Sequence, residues 1–67
     1  MIKYYMVKVK YIGDEIFFVM DYGSDDKYIS HFINSSNRIQ TMKFYKSDCK
    51  IIKPISKEEY YFKLNNN

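Results

Sequence analysis

Cysteine, histidine, proline and arginine each occur once in this chain, glycine twice, leucine once, and tryptophan and alanine not at all. Cys49 alone forms no intrachain disulfide. With His31 as the only imidazole, a zinc site would have to join these two residues to two carboxylates from distant positions. Structural zinc sites are richer in thiolate and imidazole than that. No nucleotide-binding loop, catalytic motif or internal repeat is visible. No apolar run is long enough to cross a bilayer, and no charged-then-apolar leader precedes a cleavage site. These features predict a soluble, cytoplasmic, non-catalytic protein without metal or cofactor.

What is present favours strands. Of the 67 residues, 46% are hydrophobic and 19% aromatic, with nine isoleucines and eight tyrosines. β-Branched and aromatic side chains suit a pleated, half-buried surface. A chain this short is expected to form a single small domain, residues 1–67, with 65–67 as a frayed tail. It buries only about 60% of its unfolded surface, so packing or self-association has to supply the stability. The abundance of Lys, Ile, Tyr, Asn and Phe looks like coding from an AT-rich genome.

Gly13-Asp14 reads as a two-residue hairpin loop between strands 3–12 and 15–22. That register sets Tyr11 against Ile16, Val9 against Phe18, Val7 against Met20 and Tyr5 against Tyr22. The other face mixes Tyr4, Met6, Lys8 and Lys10 with Phe17 and Val19. Ser24-Asp25-Asp26 then reads as a helix start, and Tyr28, Ile29, Phe32 and Ile33 form one stripe at helical spacing. Asn34 to Asn37 supply a stop and a polar loop. Segments 38–46 and 49–55 form a second hairpin, with a three-residue loop favoured and Pro54 marking an edge strand. Ser56 and Glu59 make a capping box, with Ile55 and Tyr60 at staple positions, which favours a helix over 57–64. Against it, Tyr60, Phe62 and Leu64 alternate as a strand would.

The predicted fold is therefore α+β: an antiparallel sheet of about four strands, in the order β-β-α-β-β-(α), with a helix on one face. The alternative is a small SH3-like barrel, which requires the Tyr28 segment to be a strand and the sheet to close.

Charge is segregated behind a net value of +3. The first twelve residues and residues 38–57 are basic, while 14–26 hold Asp14, Glu15, Asp21, Asp25 and Asp26 without a base. The acidic run lacks the spacing of a calcium loop, and turns and caps account for much of it. If the basic segments share a face, Lys8, Lys10, Lys43, Lys50 and Lys53 surround Tyr45, a pattern that can bind single-stranded nucleic acid. A solvated lysine-rich surface is the plainer reading of the same residues. His31 falls on the polar side of the expected helix. Cys49 sits beside Lys46 and Lys50, which could lower its pKa.

Tyr4, Tyr5, Tyr11, Tyr22, Tyr60 and Tyr61 gather at the termini and the first hairpin, and tyrosine is enriched at interface hot spots. The function expected is docking on a larger host protein as an inhibitor or adaptor, with a homodimer through strand edges as a further partner state. Nucleic-acid binding is the alternative. In size and composition alone the chain resembles phage-encoded accessory proteins that disable host enzymes or defence systems.

Overall fold

A computed structural model describes residues 1–66. Five strands and one α-helix follow in order: β1 (Lys3–Val9), β2 (Ile16–Asp21), β3 (Lys27–Ile33), β4 (Ile39–Tyr45), β5 (Cys49–Ile55) and α1 (Lys57–Asn65). The strands form one antiparallel sheet in the order β4-β3-β2-β1-β5. The class is α+β, but the sheet has five strands rather than four. No helix among the described residues is long and apolar enough to cross a membrane.

The Tyr28 segment is strand β3, not a helix. Its run Tyr-Ile-Ser-His-Phe-Ile is aromatic and β-branched, and it is too short to hold a helix without extensive packing. As a strand it divides Tyr28 and Ser30 from Ile29 and His31, and both sheet faces have use for them. Asp25 and Asp26 lie in the turn before β3 rather than at a helix start.

The first hairpin forms with a different register. Val7 pairs with Phe17 and Tyr5 with Val19, three positions from the apolar match expected across Gly13-Asp14. Strand β1 ends at Val9 because the Ile12 amide donates back to the Val9 carbonyl at 3.1 Å and the Lys10 amide donates to Asp48 at 2.9 Å. The connection thus spans residues 10–15, with Gly13 at φ +83°. Apolar matching could not have selected this register, because β2 offers apolar residues on both faces, Phe18 and Met20 on one and Phe17 and Val19 on the other.

One face of the sheet curls around Val7, Val9, Val19, Tyr28 and Phe44, with Tyr5, Phe17, Met42 and Cys49 packed against them. The opposite face carries Tyr4 and Met20, directly paired across β1 and β2, and α1 covers it with Tyr60 and Leu64. Two small cores therefore share one sheet. Filling each Val site stabilises the fold by roughly 1.5–3 kcal/mol relative to an exposed side chain.

Strands β4 and β5 occupy nearly the expected residues but do not pair with each other. A single 3-10 turn, Lys46–Asp48, carries the chain from one edge of the sheet to the other. So short a link requires the sheet to curl strongly. Two backbone bonds hold the turn, Lys46 to Asp26 and Lys10 to Asp48, each at 2.9 Å. The Lys46 ammonium lies 2.8 Å from the Asp21 carboxylate and reaches over the Tyr28 ring, tying the turn to the end of β2. Pro54 does lie on an edge strand, and β5 is bulged opposite Met6 and Val7.

The β3–β4 loop follows the polar reading of Asn34 to Asn37. Asn34 accepts from the Ser36 and Arg38 amides through its side chain, and Asn37 takes φ +61°. Helix α1 starts as its capping box specifies, with the Ser56 hydroxyl accepting from the Glu59 amide at 3.0 Å and Glu59 accepting from the Ser56 amide at 2.9 Å.

Candidate functional site

The site is built where β2 and β3 part. Their one ladder pair is Met20 with Ile29. Beyond it, side chains replace the missing backbone bonds: the Ser30 hydroxyl donates to the Phe18 carbonyl at 2.8 Å, and the Tyr60 hydroxyl accepts from the His31 amide at 3.0 Å. The same hydroxyl lies 2.9 Å from His31 Nδ1. The assignment that satisfies every group has Tyr60 donate to Nδ1, with the ring proton on Nε2. The helix delivers Tyr60 to this place because the Ser56 cap fixes where its first turn begins.

A cleft of about 260 Å³ opens beside these contacts. Phe17, Phe18, Phe32 and Met42 line it together with His31, and the exposed Glu15 and Lys63 stand at its surface. Within it the Ser30 and Tyr60 hydroxyls and His31 Nδ1 are paired inside the protein. Among the described residues, no three His, Cys, Asp or Glu side chains lie close enough to hold a metal.

Tyr60 is only 2% exposed, and burial pushes its hydroxyl up to about 12, despite the opposing pull of the His31 amide. Tyr4 packs 5.3 Å from Tyr60 and 6.4 Å from Tyr61 between ring centroids, and the Tyr60–Tyr61 distance is 5.2 Å. Desolvation, with Tyr61 beside it, raises the Tyr4 hydroxyl as well. Four of the six tyrosines singled out in the sequence therefore belong together, since Tyr22 joins Tyr4, Tyr60 and Tyr61 through its hydroxyl on Met20. Tyr5 does not. It faces the other core against Tyr28, and Tyr11 stands apart on the exposed β1–β2 connection.

The basic set also divides. Lys8 on β1 faces Lys50 on β5, and Lys53 faces Met6. Lys10 is occupied by an ion pair with Asp48 at 3.4 Å. Lys43 and Tyr45 lie on β4 at the other edge; the strand pairings put them on the same side of the sheet as Lys8, Lys50 and Lys53, but with β2 and β3 between the two groups. Cys49 is half-buried toward the core, where desolvation, with Asp48 nearby, raises its thiol; the flanking lysines do not lower it.

Two features escaped the sequence reading. His31 and Tyr60 are 29 residues apart, and no local pattern links them. Phe62 is different. With Tyr60 and Leu64 buried one helical turn apart, Phe62 is left 70% exposed, and helical spacing alone could have placed it there. It borders a shallow groove of about 510 Å³ with Phe18, Glu58, Glu59, Lys63 and Asn66. Compared with known protein families, curated proteins and solved structures, the chain matches none.

Proposed function

We propose that this chain is a small SH3-like barrel with a C-terminal helix, acting as a non-catalytic binding protein that docks on a larger protein through α1. Support for the barrel comes from two conditions: the Tyr28 segment is a strand, and one 3-10 turn joins the two sheet edges. The observation that carries the docking is Phe62, a phenylalanine 70% exposed on a short helix beside the Phe18 groove. Isolated exposed aromatics are ordinary, but Phe62 stands beside a groove, Tyr61 and Tyr22 are exposed as well, and aromatic side chains of this kind anchor interfaces. Glu58 and Glu59 on the groove favour a partner with a basic rim. A host enzyme as target and a cytoplasmic setting rest on composition.

Affinity capture with the tagged chain should retain one stoichiometric protein, and Phe62→Ser should weaken that retention about tenfold or more while leaving the far-UV spectrum unchanged. Equal capture by the variant would remove Phe62 from the interface.

One observation favours nucleic acid as the second reading. Lys8 and Lys50 stand directly opposite without an ion pair among the described residues. Like charges so placed repel, and a bound phosphate would offset that repulsion. Fluorescence anisotropy with a single-stranded oligonucleotide should then show binding that falls with salt and disappears in Lys8→Glu/Lys50→Glu. No binding at low salt removes this reading.

A further inference from the structure

We propose that the free edge of β4 pairs with β4 of a second copy of this chain, antiparallel about a two-fold axis through Met42. The argument begins with hydrogen-bond phase. The Asn34 amide bonds to the Arg38 carbonyl, and the Lys46 amide bonds to the Asp26 carbonyl. In an antiparallel ladder, residues bonded across the pair alternate with residues whose N–H and C=O groups point away. Even-numbered residues of β4 thus bond to β3, and Ile39, Thr41 and Lys43 direct their backbone groups outward at the edge of the sheet.

A two-fold antiparallel pair can use those groups only if odd residues face odd residues. The register centred on Met42 does so, setting Thr41 against Lys43 and Ile39 against Tyr45. It spans all of β4, whose limits are Ile39 and Tyr45. The side chains agree with the backbone. Ile39 and Tyr45 are 63% and 51% exposed on one face, and this register covers each with the other, a β-branched and aromatic pair. Lys43 meets Thr41 rather than another ammonium. Centring on Lys43 would oppose two lysines, and centring on Thr41 would set Ile39 against Lys43 and shorten the overlap. Arg38 would meet Lys46 only past Tyr45, where the chain has already entered the 3-10 turn.

The opposite edge could not do the same. Strand β5 has a bulge, Pro54 without an amide proton, and Lys50 and Lys53 along its length, all devices that keep an edge from pairing. Strand β4 carries no proline and no break in its pairing with β3. The contrast marks β4 as the edge left open for a partner. Such a dimer continues the sheet across two copies and leaves Phe62 and α1 uncovered, so it is independent of the docking proposed above.

Sedimentation velocity of the full chain over a wide concentration range should show a monomer–dimer equilibrium. Thr41→Pro removes an outward amide without touching the bonds to β3, and it should abolish the dimer with the spectrum retained. Thr41→Lys sets a new ammonium against Lys43 and should weaken the dimer at least tenfold at low salt, with recovery as salt rises. Residues facing each other at a non-bonded pair lie about 4.5 Å apart at Cα, within disulfide reach. Met42→Cys/Cys49→Ser should therefore oxidise to a covalent dimer, and Ile52→Cys/Cys49→Ser should not. A chain that stays monomeric at millimolar concentration overturns the proposal and leaves the edge to another protein's strand. A dimer that persists in both Thr41 variants, or fails to cross-link through position 42, overturns the β4 register.

Discussion

The Tyr60 hydroxyl bonds to both the amide and the imidazole Nδ1 of His31, at 3.0 and 2.9 Å, and so supplies an acceptor to β3 where β2 has parted from it. One side chain from the last element of the chain completes the hydrogen bonding of the central sheet. This makes α1 part of the fold rather than an appendage to it.

Tyr60→Phe keeps the ring but leaves the His31 amide without its acceptor. Loss of a buried acceptor destabilises by about 1–3 kcal/mol. Urea unfolding should show that decrease, while Tyr60→Ala should lose about 3–5 kcal/mol, the range for emptying a large buried aromatic site.

The same hydroxyl controls alkaline stability. Its folded pKa of about 12 stands above the ordinary value of 10.0, so folding favours the protonated form. That contribution is complete below pH 10 and is lost as pH rises toward 12. Unfolding midpoints measured across this interval should fall in the parent chain, and the fall should shrink in Tyr60→Phe. Absorbance titration should show one tyrosine ionising only as the fold opens.

Asp21 works in the opposite direction. Burial by itself would raise its carboxyl, but the Lys46 ammonium and the Gly23 amide outweigh burial and hold it below the ordinary 3.8. Its stabilisation is therefore present above that value and lost as pH falls below it. The stability difference between the parent chain and Asp21→Asn should be clear at pH 6 and vanish in stronger acid. A constant difference across that range would mean that the Asp21–Lys46 pair contributes nothing through charge.

Cys49 should react slowly. Desolvation keeps its thiol protonated, and the side chain packs against the core. Alkylation at neutral pH should be several-fold slower in the folded chain than in urea, since the thiolate is the reactive form. A folded rate equal to the unfolded one would place the sulfur in solvent.

Local chemistry could be read directly from neighbouring residues. The Ser56–Glu59 box, the Asn34–Asn37 loop and Pro54 at an edge each depend on groups a few positions apart, and each stands where the sequence placed it. Pairing did not follow from the same evidence. With Tyr4, Met6, Phe18 and Met20 on one face and Tyr5, Val7, Phe17 and Val19 on the other, an apolar match favours several registers equally. Periodicity also failed for Tyr28 to Ile33, because apolar residues occupy both faces of this strand, with Ser30 on one and His31 on the other, so neither side is polar enough to declare its period.

What the residues determined by themselves was a strand-rich chain with a capped terminal helix, because propensities, caps and turn chemistry act over one or two turns of backbone. What tertiary structure decided was which strands became neighbours, that β4 and β5 would separate to opposite edges, and that Tyr60 would reach His31. Those outcomes depend on packing one curved sheet against two small cores, and the free energy of that packing belongs to contacts between residues far apart in the chain.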